Sequence, residues 1–164
     1  MQPAPKHSFP PVVDGRTRVL VLGSLPGEMS LRRAQYYGHP RNLFWPLIGD
    51  VIGRDLVALA YPDRLAALGD AGVGLWDVVA SATRQGSLDA AIRDPRANDL
   101  VRLVADLPNL RAVGFNGGTS ARIGRAQLTG STLQLIDLPS SSPAYASLPF
   151  AAKRERWREL ARYL

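Results

Sequence analysis

The 164-residue chain is organised around one segment, residues 19–45, whose sequence is VLVLGSLPGEMSLRRAQYYGHPRNLFW. Its apolar start, residues 19–22, predicts a buried strand, and residues 23–27 (GSLPG) predict a tight turn directly after that strand. Glycine lets a ligand approach the backbone closely, and proline stiffens the turn. Tyr37 follows, ahead of the polar sequence HPRN. A strand end, a glycine turn and a nearby aromatic side chain indicate a place where a flat ring could be held.

Strand-like and helix-like patterns alternate along the chain. We predict strands at residues 17–22, 72–79, 111–115 and 132–138. Helices are predicted at residues 30–37, from an Asn42 N-cap to Gly53, at residues 62–68, after an Asn98 N-cap, near residues 119–128 and at residues 149–163. Polar loops are predicted at residues 80–86 and 138–147. This order predicts a three-layer α/β/α sandwich with a central, mainly parallel four-stranded sheet, in which ligands bind at the carboxyl ends of the strands.

Length and charge limit the domain organisation and the class of partner. We expect a single domain over residues 1–164, with residues 1–15 as an extended, proline-rich arm. The formal net charge is +6, and the only lysines are Lys6 and Lys153, so arginine carries most of the positive charge. Arginine matches phosphate geometry, which favours a polyanionic partner. A source that prefers arginine codons would give the same composition.

Several classes of protein are disfavoured by the composition. The chain has no cysteine and two histidines, so disulfides, iron–sulfur clusters and a histidine-based zinc site are not expected. No apolar run approaches membrane-spanning length, and the N-terminal sequence MQPAPKHSFPPVVDG lacks the apolar core of a signal peptide. We therefore expect a cytoplasmic, monomeric protein without a metal or another cofactor.

Several short motifs of the chain resemble one known family. GSLPG followed by YYGHPRNLFW resembles the hypoxanthine-DNA glycosylases of the uracil-DNA glycosylase superfamily, and the more distant mismatch-specific uracil glycosylases carry GINPG and FAHPANRFW at the same spacing. Further matches follow in the same order at residues 72–92, 114–118 and 138–146. The resemblance implies that Tyr37 stacks on a flipped base. It also implies that Leu25 occupies the position of the relatives' catalytic Asn, and that Asn42 in the HPRN segment takes over the catalytic role.

The resemblance implies roles for further residues, because a base-excision glycosylase must flip a nucleotide, hold its base and grip the phosphates. We expect substrate-binding groups at Gly23, Ser24, Gly27, Tyr37, His39, Asp77 and Asn116. Contacts with DNA are expected at Arg84, Gly117, Ser140, Ser141, Ser142, Pro143 and Tyr145. In relatives the corresponding loop enters the minor groove and fills the space left by the flipped base. Here the wedge would be Ala144 or Tyr145, and Tyr145 is the bulkier of the two.

The polar candidates each have a structural alternative. Asp77 would accept a hydrogen bond from N1–H of hypoxanthine or N3–H of uracil, but a carboxylate at a strand end could also cap a helix or pair with arginine. His39 could donate to a phosphate or to the base, or only bond the backbone in a His-Pro turn. Asn116 fits a ligand-facing helix start or a simple left-handed turn. Asn42 could be catalytic, a helix N-cap, or both.

The function implied by the resemblance is a DNA glycosylase that excises hypoxanthine from DNA containing a deaminated base. It is expected to be monofunctional, because Lys6 lies in the arm and Lys153 in a charged helical turn, neither near the predicted pocket. A uracil- or mismatch-specific glycosylase of the same fold is the alternative within the superfamily. A non-catalytic nucleic-acid-binding module is the alternative from another class, since the usual catalytic position holds Leu25.

Overall fold

The computed structural model describes residues 4–164 and contains two sheets. The strands are β1 (Lys6–His7), β2 (Val19–Gly23), β3 (Val73–Asp77), β4 (Val79–Thr83), β5 (Arg93–Ala97), β6 (Ala112–Asn116) and β7 (Gln134–Leu138). The α-helices are α1 (Glu28–Arg33), α2 (Phe44–Ile52), α3 (Tyr61–Ala71), α4 (Leu100–Ala105), α5 (Gly118–Leu128) and α6 (Phe150–Trp157). Two 3₁₀ helices lie at Asp89–Ala91 and Arg158–Tyr163.

The central sheet has four parallel strands in the order β3-β2-β6-β7. Strand β2 is fully buried, and its side chains alternate between two cores. Val19 and Val21 pack with residues of α2, α3 and α6, whereas Leu20 and Leu22 pack with residues of α4 and α5. The predicted three-layer α/β/α sandwich with a parallel four-stranded sheet is therefore confirmed.

A second, three-stranded antiparallel sheet, β1-β4-β5, corrects the prediction for residues 72–86. The predicted strand 72–79 ends at Asp77, and the supposed loop 80–86 contains most of β4. Val78 and Val79 donate to the carbonyls of Gly23 and Ser24, which turns the chain out of the parallel sheet. Of the predicted arm, residues 1–3 lie outside the described residues; within the remainder, Lys6–His7 pairs with β4 and Val12 bridges to Leu75.

The helix boundaries differ from the predictions at one helix start and at two helix ends. The N-cap of α4 is Asp99, whose carboxylate accepts from the Arg102 amide, and not Asn98. The Asn98 amide instead donates to the Asp77 carbonyl at 2.7 Å. The predicted helix 30–37 ends at Arg33, and the predicted helix 149–163 changes to a 3₁₀ helix after Trp157.

The strand ends bring the predicted site together. The four parallel strands finish at Gly23, Asp77, Asn116 and Leu138, all on one edge of the sheet. Within residues 4–164, no helix combines the length and apolar character needed to cross a membrane.

Candidate active site

A cavity of about 320 Å³ opens at the carboxyl edge of the parallel sheet. Its walls contain most of the residues expected from the sequence: Gly23, Ser24, Gly27, Tyr37, His39, Asn42, Asp77, Asn116, Ser140, Ser141, Ser142, Pro143 and Tyr145. Residues of the strand-one turn, the HPRN segment and the serine-rich loop thus face one space. Among the expected residues, Arg84 and Gly117 do not line it.

Asp77 lies at the floor of the cavity, with only 4% of its surface exposed. Its Oδ2 atom is buried and has no hydrogen-bond partner within residues 4–164, and no helix cap or arginine salt bridge occupies the carboxylate there. Burial, together with the charge of Asp89, raises the pKa of Asp77 to about 7, although Arg84 opposes the rise. A buried carboxylate without a partner is costly, so a ligand that supplied a donor would relieve an existing strain.

The turn after β2 is shaped to leave room for this carboxylate. A Cβ atom on Gly23 would lie 2.5 Å from Asp77 Oδ1 and 3.0 Å from the Tyr37 hydroxyl. Real side chains do not approach so closely, so only glycine fits at this strand end. The close approach explains why the GSLPG turn begins with a glycine.

Tyr37 forms an aromatic wall of the cavity. Its ring stacks on Phe44 with centroids 3.9 Å apart and planes 18° from parallel. Its backbone is left-handed, with φ of 53°, which is unusual for a residue other than glycine. Burial, with a contribution from the charge of Asp77, raises the pKa of Tyr37 and keeps its hydroxyl protonated. The neighbouring Tyr36 also lines the cavity, but it is buried and its hydroxyl donates to the Pro10 carbonyl at 2.8 Å.

Asn42 and His39 each use one polar atom in the HPRN turn. Asn42 Oδ1 accepts from the Phe44 amide at 2.9 Å, and its side-chain nitrogen makes no hydrogen bond within residues 4–164. The N-cap of α2 is Leu43 and not Asn42 as predicted. Asn42 therefore stabilises the helix start from the position just before the N-cap. His39 Nδ1 accepts from the Arg41 amide at 3.0 Å, which directs the proton of a neutral ring to Nε2. Both side chains therefore combine a structural contact with a second polar atom at the cavity.

The serine-rich loop is fastened to the end of β6 by Asn116. The Asn116 amide donates to Ser141 Oγ and accepts from the Ser141 backbone, each at 2.9 Å. Ser141 is 1% exposed, and its carbonyl also accepts from the Leu43 amide. The Ser141 hydroxyl and the Asn116 amide therefore bind each other in this structure, and the contacts expected of them with DNA and with the base stay predictions. Gly117, with φ of 96°, lies against Ser140 outside the cavity.

Arg84 does not reach the surface as expected for a DNA contact. Its side chain is buried, and its guanidinium donates to the carbonyls of Pro26 at 2.5 Å and Gly86 at 3.1 Å. These bonds connect the GSLPG turn to the loop that follows β4. In this structure the backbone turn takes up the guanidinium, and the phosphate contact expected at Arg84 stays a prediction.

The loop that follows β4 supplies cavity residues that were not predicted, namely Ser87, Leu88 and Asp89. Asp89 Oδ1 accepts from the Ser24 hydroxyl at 2.7 Å and lies 3.9 Å from Arg84 Nη1. Ser87 Oγ accepts from the Glu28 amide at 3.0 Å, at the start of α1. The only sequence signal for this loop was its position within the matched segment 72–92.

Lys153 lies in a charged turn of α6, as expected, and its side chain is buried there. Its ammonium group donates to the Tyr145 carbonyl at 2.6 Å and lies 5.0 Å from the centre of the Tyr145 ring. Burial lowers the pKa of Lys153. Lys153 does not line the cavity, but it anchors the loop that carries the half-exposed Tyr145 ring.

The described part of the chain contains no group of three or more His, Cys, Asp or Glu side chains that could hold a metal ion. The chemistry available in the cavity is therefore that of a carboxyl group at the floor, a second carboxylate at the rim, an aromatic wall and several amide and hydroxyl groups.

Comparisons with known proteins agree with this geometry. A family model described as "Uracil DNA glycosylase superfamily" matches residues 10–161. The chain is 40% identical over 159 residues to a protein named Hypoxanthine DNA glycosylase from Methanosarcina acetivorans, covering 96% of the chain and 99% of the relative. It is 49% identical over 115 residues to a Hypoxanthine DNA glycosylase from Methanosarcina barkeri, covering 70% and 73%.

A solved structure is similar over nearly its whole length. It is a solution NMR structure of a Methanosarcina acetivorans protein that is provisionally described as a uracil DNA glycosylase. The TM-score is 0.87 at 38% sequence identity, and the match covers 97% of this chain and 98% of the other. The resemblance found in the sequence motifs is confirmed.

Proposed function

The chain belongs to the uracil DNA glycosylase superfamily, and from this premise we propose that it is a monofunctional DNA glycosylase that excises hypoxanthine by hydrolysing the N-glycosidic bond. The names of its relatives support hypoxanthine as the base. The observation that carries the proposal is the buried, unpartnered Asp77 carboxyl group at the floor of a cavity whose wall is the Tyr37 ring.

Asp77 accounts for recognition of the flipped base. Hypoxanthine presents an N1–H donor where adenine presents a lone pair, so an ionised carboxylate attracts the deaminated base and repels the normal one. The donor would also give a partner to the buried carboxyl group, which accepts no hydrogen bond within residues 4–164. Adenine would leave the buried Asp77 carboxylate without a hydrogen-bond donor. A site discriminates most strongly against a ligand that leaves one of its buried polar groups unpaired.

Tyr37 supplies the stacking surface. Its ring is already held by Phe44, so binding a base on it costs little side-chain ordering. Stacking of a base on an aromatic ring contributes roughly 1–3 kcal/mol. The cavity therefore combines a surface for the face of a base with a polar group for its edge.

Asn42 is the candidate that positions the hydrolytic water. Its Oδ1 is held by the Phe44 amide, which fixes the orientation of the side chain and leaves its nitrogen at the cavity. Leu25 is buried among apolar residues and offers no polar group for this purpose. An amide orients water but is a weak base, so the reaction depends on stabilising the departing base and the sugar.

The loop that carries Tyr145 accounts for the grip on DNA. Ser140 Oγ and Ser142 Oγ accept bonds from the loop's own backbone, so both hydroxyl hydrogens remain free to donate to phosphate oxygens. The half-exposed Tyr145 ring lies at the cavity mouth, where it can fill the space left by the flipped nucleotide. All of these groups belong to one chain, so we expect activity as a monomer and without a metal.

The test uses duplex oligonucleotides that contain one inosine, one uracil or only normal bases. Single-turnover incubation followed by alkali should cleave the inosine strand, with EDTA present and with no product trapped by borohydride. Preferential cleavage at uracil would favour the alternative supported by the same carboxylate, which can also accept from N3–H. Binding without cleavage of either strand would establish the non-catalytic module instead.

A pair of variants connects the assay to the floor of the cavity. Asp77→Asn keeps an acceptor that can face N1–H, whereas Asp77→Ala removes it. We expect Asp77→Ala to lose most inosine excision and Asp77→Asn to retain more of it. Equal rates for Asp77→Ala and the wild type would reject the proposed recognition.

A further inference from the structure

The loop that follows β4 brings a second carboxylate, that of Asp89, to the cavity. It is partly exposed to solvent, whereas the Asp77 carboxylate is buried. The Asp89 side chain is 40% exposed, whereas Asp77 is 4% exposed. A flipped nucleotide enters base first, so the base occupies the floor and the sugar follows it toward the mouth. A carboxylate at the rim therefore lies at the level of the sugar.

Asp89 is held in place by the turn that follows β2. The Ser24 hydroxyl donates to its Oδ1 at 2.7 Å, which leaves Oδ2 without a hydrogen bond within residues 4–164. Arg84 binds the same loop, and its buried Nη1 lies 3.9 Å from Asp89 Oδ1 and has no hydrogen-bond partner in the part of the chain that the structure describes. Ser24 is adjacent to Leu25, which is buried in the apolar core. The turn that contains Ser24 therefore holds the Asp89 carboxylate of another loop next to Leu25, whose own side chain is apolar.

We propose that Asp89 is a further catalytic residue, whose carboxylate faces C1′ of the flipped nucleotide and stabilises the positive charge that develops on the sugar. This inference rests on the proposed glycosylase function. The C1′–N9 bond breaks and its electron pair goes to N9. The water held by Asn42 forms the new O–C1′ bond, and one proton of that water passes to the departing base. Asp89 stays ionised throughout and forms no covalent bond.

Electrostatic groups aimed at developing charge are worth about 10²–10³ in rate when one is removed. Asn42 is uncharged and cannot supply this stabilisation, and the charge of Asp77 lies at the base. Among the described residues that line the cavity, Asp77 and Asp89 are the only acids. The two carboxylates therefore have separate roles: Asp77 binds the base, and Asp89 stabilises the charge on the sugar.

The experiment compares Asp89→Asn with wild type on two abasic analogues in the same duplex: a cationic pyrrolidine and a neutral tetrahydrofuran. The variant amide can still accept from Ser24, so the loop keeps its hydrogen bond, but the charge is lost. Asp94→Asn removes the same charge from an exposed residue of β5 and is the matched control.

We expect wild type and Asp94→Asn to bind the pyrrolidine duplex at least about 10-fold more tightly than the tetrahydrofuran duplex, and Asp89→Asn to lose this preference. Its single-turnover rate on inosine should fall about 100-fold with an unchanged melting temperature. A wild-type pyrrolidine preference in Asp89→Asn would overturn the inference, even if the rate falls. If wild type prefers pyrrolidine, Asp89→Asn loses that preference and wild type still leaves inosine intact, the hypoxanthine proposal is refuted while the role of Asp89 is supported.

Discussion

Asp77 should make the protein less stable as the pH rises, and replacing it by asparagine should remove this effect. In the unfolded chain its carboxyl group has a pKa near 3.8, and in the fold the pKa is about 7. Between these values the folded state binds more protons than the unfolded state. Its stabilising contribution is therefore complete below the unfolded pKa and is lost as the pH rises through the folded pKa.

The magnitude follows from the span of the titration. Each pH unit over which the two states differ by one proton is worth about 1.4 kcal/mol. From pH 5 to pH 8 the Asp77 carboxyl group ionises in the folded state, where burial makes the charge unfavourable. The free energy of unfolding of wild type should therefore fall by roughly 2–3 kcal/mol through this group alone. Asp77→Asn cannot ionise, so its stability relative to wild type should improve by that amount over the same interval.

Urea denaturation of both proteins at pH 5, 6, 7 and 8 measures the difference directly. Every other ionisable side chain is common to both proteins, so the comparison isolates the Asp77 carboxyl group. Asp94→Asn removes an exposed carboxylate and should follow wild type at every pH. If the stability difference between Asp77→Asn and wild type is the same at pH 5 and pH 8, the carboxyl group is not buried as described and its assignment to the cavity floor fails.

Three further predictions concern the wall, the HPRN turn and the loop. Tyr37→Ala should lose roughly 1–3 kcal/mol of base stacking and most activity, while Tyr37→Phe keeps the ring and most of the rate; equal losses in excision assays would implicate the hydroxyl instead. Asn42→Ala should lower the single-turnover rate on inosine far more than DNA affinity, whereas full activity of Asn42→Asp at an unchanged melting temperature would leave Asn42 with only its bond to Phe44. Lys153→Met should release the Tyr145 carbonyl and, like Tyr145→Ala, weaken excision from duplex more than from single-stranded DNA; equal losses on both substrates would contradict the role of the loop as a wedge.

The amino-acid sequence by itself determined the layers of this protein and the edge at which its site lies. The alternation of Val19 and Val21 with Leu20 and Leu22 requires apolar cover on both faces of a strand, and the helical segments that follow the strands supply it. Glycine at the end of β2 and the later motifs then mark the carboxyl edge. These are local signals, because each depends on residues that are neighbours in the chain.

The roles of individual polar side chains depended on contacts between distant segments. Arg84 has the sequence character of a surface arginine, but the Pro26 carbonyl, 58 residues away, takes up its guanidinium. Asn116 is occupied by Ser141, and Lys153 is buried under the Tyr145 loop. The sequence gives the type of a polar residue but not its hydrogen-bond partner, because the partner depends on how distant segments pack together.

Only the tertiary structure decided which acid lies at the floor of the cavity and which at the rim. Asp77 and Asp89 belong to one matched segment, yet the chain turns out of the parallel sheet between them and pairs β4 with the N-terminal strand. That turn buries Asp77 and returns Asp89 to the hydroxyl of Ser24, 65 residues earlier. The sequence contains both carboxyl groups, but the difference in their burial and charge arises from strand pairing across the whole fold, which no local pattern encodes.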